Sequence, residues 1–260
     1  MGLSSNSTKK ISKLLLDAVR EKLKNYKPET SKAPFHHRLL GRDRYAMFSF
    51  IHSMSTTFGM SIWEQMAVIL ATDAKYSAGR QYKLLGEIDQ KTEKAINQIH
   101  YKLRKGQTIA KKNKETEELR KNIKPGQQKT DPDSIVDVFI NVDNNENYFD
   151  ITSAKPNMKE FVALKLKLLR WTALRLSRDR KASIVTRLAI PYNPYDPEPY
   201  ERWTLKGLFD LEKGEVLVGA SFWDFVAGKE VYDELLDLFQ KIGETLRKEI
   251  DERFAEFKNF

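Results

Sequence analysis

The 260-residue sequence contains no cysteine. Disulfides, thiolate metal sites and cysteine nucleophiles are therefore excluded, and a reducing, cytoplasmic setting is the default expectation. Histidine is scarce as well. His36, His37, His52 and His100 are the whole set, too few and too badly spaced for a histidine-rich metal centre. No apolar run approaches the roughly 18 residues of a membrane span, and the first residues lack the apolar core of a signal peptide. Neither a membrane nor a secretory route is expected. Phosphate-binding loops, dinucleotide fingerprints, zinc-protease helices and serine elbows are also missing, so nucleotide hydrolysis, hydride transfer and serine hydrolysis lack support. No nucleotide cofactor is implied. Nor is there an acidic excess: 45 Lys+Arg stand against 36 Asp+Glu, a net charge of +9. That balance suits a polyanionic partner, although many basic proteins bind no nucleic acid.

What is present is organised around residues 134–157, SIVDVFINVDNNENYFDITSAKPN. Runs 135–142 and 148–154 are rich in β-branched and aromatic residues and flank the turn-forming cluster 143–147. The pattern predicts a β-hairpin with a five-residue connection. Each strand carries an acid that a purely structural strand has no use for, Asp137 in the first and Asp150 in the second. Lys155 stands at the exit. Side chains alternate along a strand, so the right register brings Asp137 beside Asp150. Two such carboxylates repel unless a cation lies between them, and oxygen ligation of this kind suits Mg²⁺. Two acids and a lysine on a hairpin make a site for metal-assisted hydrolysis of a phosphodiester.

The rest of the chain reads as a single α/β domain with a central mixed β-sheet flanked by helices, residues 1–130 mostly helical and 131–260 holding the sheet. Residues 9–27 have amphipathic helical spacing. Residues 35–45, FHHRLLGRDRY, are either a charged loop leading into a helix or a contact for DNA phosphates through Arg38, Arg42 and Arg44. A helix over 46–58 is expected to end near Gly59. Ser61 then suits an N-cap for the apolar helix 62–74, with Glu64 in the third position of a capping box. Glu64 reads equally as a carboxylate presented to the metal site, because a charge on so apolar a helix needs a partner. The charged stretch 78–124 has a long helical pattern. Past the hairpin, a helix begins at Met158 with most of its lysines and arginines, Lys165 and Lys167 among them, expected on a solvated face. A strand is expected over 182–190 and another over 214–222. Residues 191–204, PYNPYDPEPYERWT, hold four prolines and three tyrosines and cannot be regular structure. They form either a recognition element, through Tyr195 and Arg202, or a loop pinned to the core by its aromatics. The helix over 232–257 covers the domain or forms a dimer face.

An aspartate on one strand, a turn, and an acid shortly before a lysine resembles the PD-(D/E)xK nuclease arrangement. Longer strings are more particular: FHHRLLGRDRY, the helix with Glu64, DITSAKPNMKEF, KLLRWTALRLS, and PYNPYDPEPYERWT with FWDF. Together these resemble type II restriction endonucleases of the TdeIII group over nearly the whole chain. The resemblance implies a restriction-endonuclease-like core and Mg²⁺-dependent cleavage of double-stranded DNA at a short palindrome of the GGNCC kind, by a homodimer. It implies that Asp137, Asp150 and the carbonyl of Ile151 bind the metal while Lys155 orients the attacking water. Glu64 would hold a metal-bound water or a second ion, Asn157 the adjacent phosphate, and Arg202 a base edge.

One position departs from the pattern. The lysine two residues after Asp150 should be residue 152, which is Thr152. Either Lys155 returns to the site over a bulge near Ser153, or Ser153 and Lys155 form the working pair with Glu160 completing the acids. The competing readings are a non-catalytic, basic nucleic-acid-binding protein and a helical interaction protein.

Overall fold

The computed structural model describes residues 2–28, 33–125, 130–201, 205 and 207–258. Arg202 lies outside them. The amphipathic opening becomes α1 (Ser5–Asn25), which buries Ile11, Leu15 and Leu23 and is capped by Ser4, whose side chain accepts from the Ser7 N–H. Two helices follow, α2 (Pro34–Leu40) and α3 (Arg42–Thr57), meeting at Gly41 with φ +92°. The expected stop at Gly59 does not occur. The chain instead runs through a π-helical turn (Phe58–Ile62) directly into α4 (Trp63–Asp73). Burial of Ile62 and Met66 outweighs the roughly 1 kcal/mol that a glycine costs within a helix. Ser61 is consequently no N-cap; its hydroxyl accepts from Gln65 Nε2 at 2.9 Å, and Glu64 caps nothing.

The charged stretch after residue 76 also departs from its helical pattern. It starts as an edge strand, β1 (Ser77–Leu85), with only Leu84 fully buried, and then forms α5 (Gln90–Arg104) and α6 (Lys112–Asn122). An edge strand that leaves most of its side chains in water has the composition of a surface helix, so pairing with its neighbour decides the outcome. That neighbour is β2 (Thr130–Val142), joined to β3 (Asn145–Ile151). The connection is two residues, not five. Asp143 and Asn144 adopt φ +49° and +64°, the positive values a primed hairpin turn needs and Asp and Asn tolerate. Next come α7 (Met158–Arg178), β4 (Ile184–Ile190), β5 (Val216–Val218), α8 (Ala220–Ala227) and α9 (Tyr232–Phe257). The strand expected over 214–222 is thus reduced to β5, because the chain turns into α8 after Gly219.

The five strands form one mixed sheet in the order β1-β2-β3-β4-β5. The first three are antiparallel, whereas β3, β4 and β5 run parallel, with α7 as the crossover that a parallel β3–β4 pair requires. Helices α5, α6 and α7 cover one face around Ile96, Leu119, Leu168 and Trp171. Helices α1, α4, α8 and α9 cover the other around Ile11, Met66, Phe149 and Trp223.

Lys159 and Arg178 of α7 are exposed, but Lys165, Lys167, Arg170 and Arg175 are not on a solvated face. Lys165 is completely buried and bonds Glu115 Oε2 and Glu215 Oε1, each at 2.7 Å. Lys112 Nζ completes the network through Glu215 Oε1 at 3.0 Å and Thr186 Oγ1 at 2.6 Å. Arg170 pairs with Glu93 and Asp131, and Arg175 with Glu146. Burial pushes the Glu215 carboxyl up, but Lys112 and Lys165 outweigh it and hold the group down at about 2. The stabilisation this carries is complete above the ordinary glutamate range and is lost as pH falls toward 2. Replacing Glu215 by alanine leaves two buried ammonium groups short of a counter-charge. The expected cost is about 3–5 kcal/mol in urea unfolding at neutral pH.

Candidate active site

The hairpin register sets the site. Ladder pairs run from Val142↔Asn145 to Val138↔Phe149, and one step further brings Asp137 opposite Asp150. There the ladder stops. The next N–H, that of Ile151, donates to Asp137 Oδ2 at 2.7 Å instead of to a backbone carbonyl of β2. A carboxylate thus takes the place of a ladder acceptor where β2 and β3 part. Asp150 is buried and forms an ion pair with Lys167 of α7. Asp137 Oδ1 and Asp150 Oδ1 accept no hydrogen bond among the described residues.

Burial and then the neighbouring Asp150 push the Asp137 carboxyl up to about 7; the Ile151 N–H and Lys167 act against this, and Glu64 reinforces it. Glu64 therefore shares the electrostatic environment of the pair. It is 3 % exposed on α4. Gln81 Nε2 donates to its Oε1 at 2.8 Å, Arg80 Nε stands 3.5 Å from Oε2, and Oε2 accepts no hydrogen bond. Burial raises the Glu64 pKa, and Gln81 and Arg80 offset part of that rise. Gln81 reaches Glu64 from a backbone with φ +49°, a conformation uncommon for a residue with a side chain.

A cleft of about 690 Å³ opens at the end of β3, reaching Ile151, the residue after Asp150, without being lined by either acid. Its floor is the continuation of β3, Ile151 to Ala154; Ser55, Thr56 and Phe58 form one wall, and Glu160, Ala163 and Leu164 of α7 another. Lys167 follows on α7 one turn beyond Ala163. Sequence reasoning passed over this lysine because its acid lies seventeen residues away; only the fold of α7 onto the sheet unites them.

Other sequence candidates fall elsewhere. Lys155 is exposed, and its ammonium lies 4.9 Å from the centre of the Tyr195 ring, not beside the acids. No bulge returns it: Thr152 N–H continues the sheet by donating to the Ala189 carbonyl at 2.9 Å. The alternative with Glu160 does not assemble either. Glu160 and Asn157 close a capping box at the start of α7, with Glu160 Oε2 accepting from Asn157 N–H at 2.6 Å. Asn157 is thereby occupied as a cap. The loop after β4 is pinned by its aromatics: Tyr200 donates to the Ala154 carbonyl at 2.9 Å and its ring lies 5.8 Å from that of Tyr195. Arg38, Arg42 and Arg44 are exposed on α2 and α3.

The donor set fits a hard divalent cation. Asp137 and Asp150 supply carboxylate oxygens only, and the unfavourable pairing that raises Asp137 is the kind a cation relieves. Among the described residues no group of three or more His, Cys, Asp or Glu forms a closed metal cage. Mg²⁺ characteristically dispenses with one, taking one or two carboxylates and completing its shell with water and phosphate oxygens.

Opposed carboxylates in a mixed sheet beside a lysine are the equipment of a phosphodiesterase, and the known proteins that this chain resembles are enzymes of that class. It is a type II restriction endonuclease. More narrowly, the chain belongs to the HinfI family of these enzymes, whose family model matches residues 3–243. It is 26% identical over 243 residues to the type II restriction enzyme HgiEI of Herpetosiphon aurantiacus, covering 89% of this chain and 86% of that protein. HgiBI of the same organism is 25% identical over 230 residues, covering 86% of this chain and 81% of the relative. MjaII of Methanocaldococcus jannaschii is 24% identical over 209 residues, spanning 76% of this chain but 55% of the longer relative. No solved structure matches the chain.

The raised Asp137 pKa has a consequence for the metal-free protein. Between the ordinary aspartate value of 3.8 and about 7 the folded state holds more protons than the unfolded state, so stability falls as pH rises through that window. Asp137→Asn keeps an acceptor for the Ile151 N–H and removes the charge. In chelator at pH 8 this variant should unfold at a higher temperature than the parent, by about 2 kcal/mol of stability, and should lose the slope between pH 4 and 7. An unchanged slope would show that Asp137 is not the group responsible.

Proposed function

We propose that this endonuclease hydrolyses both strands of DNA at a short palindromic site in a Mg²⁺-dependent reaction, on a core of the PD-(D/E)xK type, and that it acts as a homodimer. The observation that carries the reading is the meeting of Asp137 and Asp150 at the point where the hairpin ladder opens, with Lys167 on Asp150. The resemblance of the longer strings to the TdeIII group supports a recognition site of the GGNCC kind.

Asp137, Asp150 and the Ile151 carbonyl would hold the ion. When bound, Mg²⁺ supplies Lewis-acid polarisation of the scissile phosphate and a lowered pKa for water. Lys167 takes the role that the spacing first suggested for Lys155. Its ammonium is ion-paired with Asp150, and its position beside the acids suits it to orient the attacking water and to offset charge developing on the phosphoryl oxygens. Glu64, with one oxygen held by Gln81 and the other free of hydrogen bonds, accepts a proton or orients a water on the far side of Asp137. Asn157 contributes by capping α7, which fixes the helix that carries Lys167. Arg38, Arg42 and Arg44 contact DNA phosphates, and the loop after β4, with Tyr195 and Arg202, reads the bases. A palindrome calls for two-fold symmetry, one active site for each strand.

Plasmid DNA incubated with the protein and Mg²⁺ should give discrete fragments, and a chelator should stop the reaction. Retardation of the DNA without cutting would favour the binding-protein reading. Among variants, Asp137→Ala and Lys167→Ala should each slow cleavage by about 1,000-fold or more while Ca²⁺-supported binding of the same duplex persists. Lys155→Ala should stay within about tenfold of the parent. If Lys155→Ala is the inactive variant and Lys167→Ala cuts normally, the assignment of the lysine is wrong.

A further inference from the structure

Among the described residues, helix α2 is the one helix longer than a single turn that buries none of its residues. Phe35 is 86% exposed and Leu39 84%, one turn apart on the same side of α2. Leu40, Phe48 and Ile51 are each about half exposed, and Phe48 and Ile51 share a face of α3. The two helices form a continuous surface: the rings of His36, Tyr45, Phe48 and His52 follow one another at 6.0–6.1 Å between centroids. A seven-residue helix has no stability of its own in water, and α2 leans mainly on α3. Large apolar side chains this exposed, gathered in one patch, mark a surface that is covered in the working protein.

We propose that the α2–α3 patch is covered by a second copy of this chain, so that the two-fold interface of the dimer is built on Phe35, Leu39, Leu40, Phe48 and Ile51. The choice of occupant rests on the proposed cleavage of a palindrome, which requires two active sites related by symmetry. Area supports it. The five side chains offer on the order of 600 Å² of apolar surface, most of the roughly 800 Å² that each partner contributes to a standard interface. Place supports it too. Residues 55, 56 and 58, at the end of α3 and in the turn after it, line the cleft that opens at the end of β3, so an interface on α3 would set the two clefts beside one another. The alternative occupant, the DNA, is disfavoured by chemistry: phosphate contacts are made by cations and polar groups, and side chains as exposed as Phe35 and Leu39 find nothing apolar along a duplex backbone. Arg38, Arg42 and Arg44 stand around the patch against Asp43, the single acid within α2 and α3, where they remain available to the phosphates. They also give a signature. Two copies meeting here bring like charges together, so screening by salt should leave the dimer unchanged or tighten it, whereas any DNA contact weakens as salt rises.

The test is analytical ultracentrifugation of the full chain, without DNA, at 0.1 and 0.5 M NaCl, with the double variant Phe35→Asp/Leu39→Asp alongside. Both substitutions are at exposed positions, and a native circular dichroism spectrum and melting curve establish that the variant folds. The parent should sediment at twice the chain mass at both salt concentrations. The variant should sediment as single chains, its dimer dissociation constant raised by about 100-fold or more. On supercoiled plasmid it should accumulate nicked circles before linear DNA. A parent that is monomeric at micromolar concentration, a dimer that falls apart in 0.5 M salt, or a variant that still dimerises overturns the proposal. A variant that dimerises normally but binds DNA weakly assigns the patch to the duplex instead. Sedimentation needs no cleavage, so a parent that dimerises through this patch yet never cuts DNA would sink the nuclease reading alone.

Discussion

Two aspartates of like charge are forced together on neighbouring strands, one of them denied full ionisation near neutral pH, and the surrounding structure serves that contact. Left alone, the pair is a cost to the fold: burial and mutual repulsion lift Asp137 to about 7. In the proposed mechanism a cation between the two carboxylates relieves that cost. Storing unfavourable electrostatics at the reacting centre, and offsetting it by packing elsewhere, is a general habit of enzymes.

The offset is visible on both sides of the sheet. On the α7 side, the network of Lys165, Glu115, Glu215 and Lys112 locks α6, α7, β4 and the segment before β5 into a single arrangement. Lys167 lies two residues further on, about 200° around the helix, so α7 holds the buried network with one side and reaches Asp150 with another. On the opposite side, α4 enters through a π-helical turn rather than a fresh cap, and this unbroken run delivers Glu64 to Gln81 and Arg80. Two helices on opposite faces therefore supply the charged groups that flank the hairpin acids.

The same economy of position extends to the periphery. The cleft is walled by α7 and by the segment that ends α3, and α3 carries the exposed apolar row onward to α2. The segment that ends α3 thus joins the cleft to the exposed apolar row. In the proposed dimer that continuity gives the two halves a means of fixing their separation.

Much of this was legible in the amino-acid order, for identifiable reasons. Strong β-branched alternation on either side of an Asp-Asn turn announces a hairpin, and a period-2 strand needs only its register to place Asp137 across from Asp150. The amphipathic stripes of α1, α7 and α9 were equally plain. Other features were not. β1 reads as a surface helix because an edge strand in water carries the same charges. The five-residue loop contracts to two because positive φ at Asp143 and Asn144 leaves no trace in hydrophobic pattern. The pairing of Lys167 with Asp150 was not legible because nearness in sequence was the only measure of nearness available: Lys155, five residues from Asp150, lies against Tyr195, while Lys167, seventeen away, comes back over the sheet. The residues by themselves determined that two acids would share a hairpin, since local pairing follows local pattern. Which cation joins them was decided only by tertiary structure, since the packing of a helix on a sheet is set by buried surfaces far from the site.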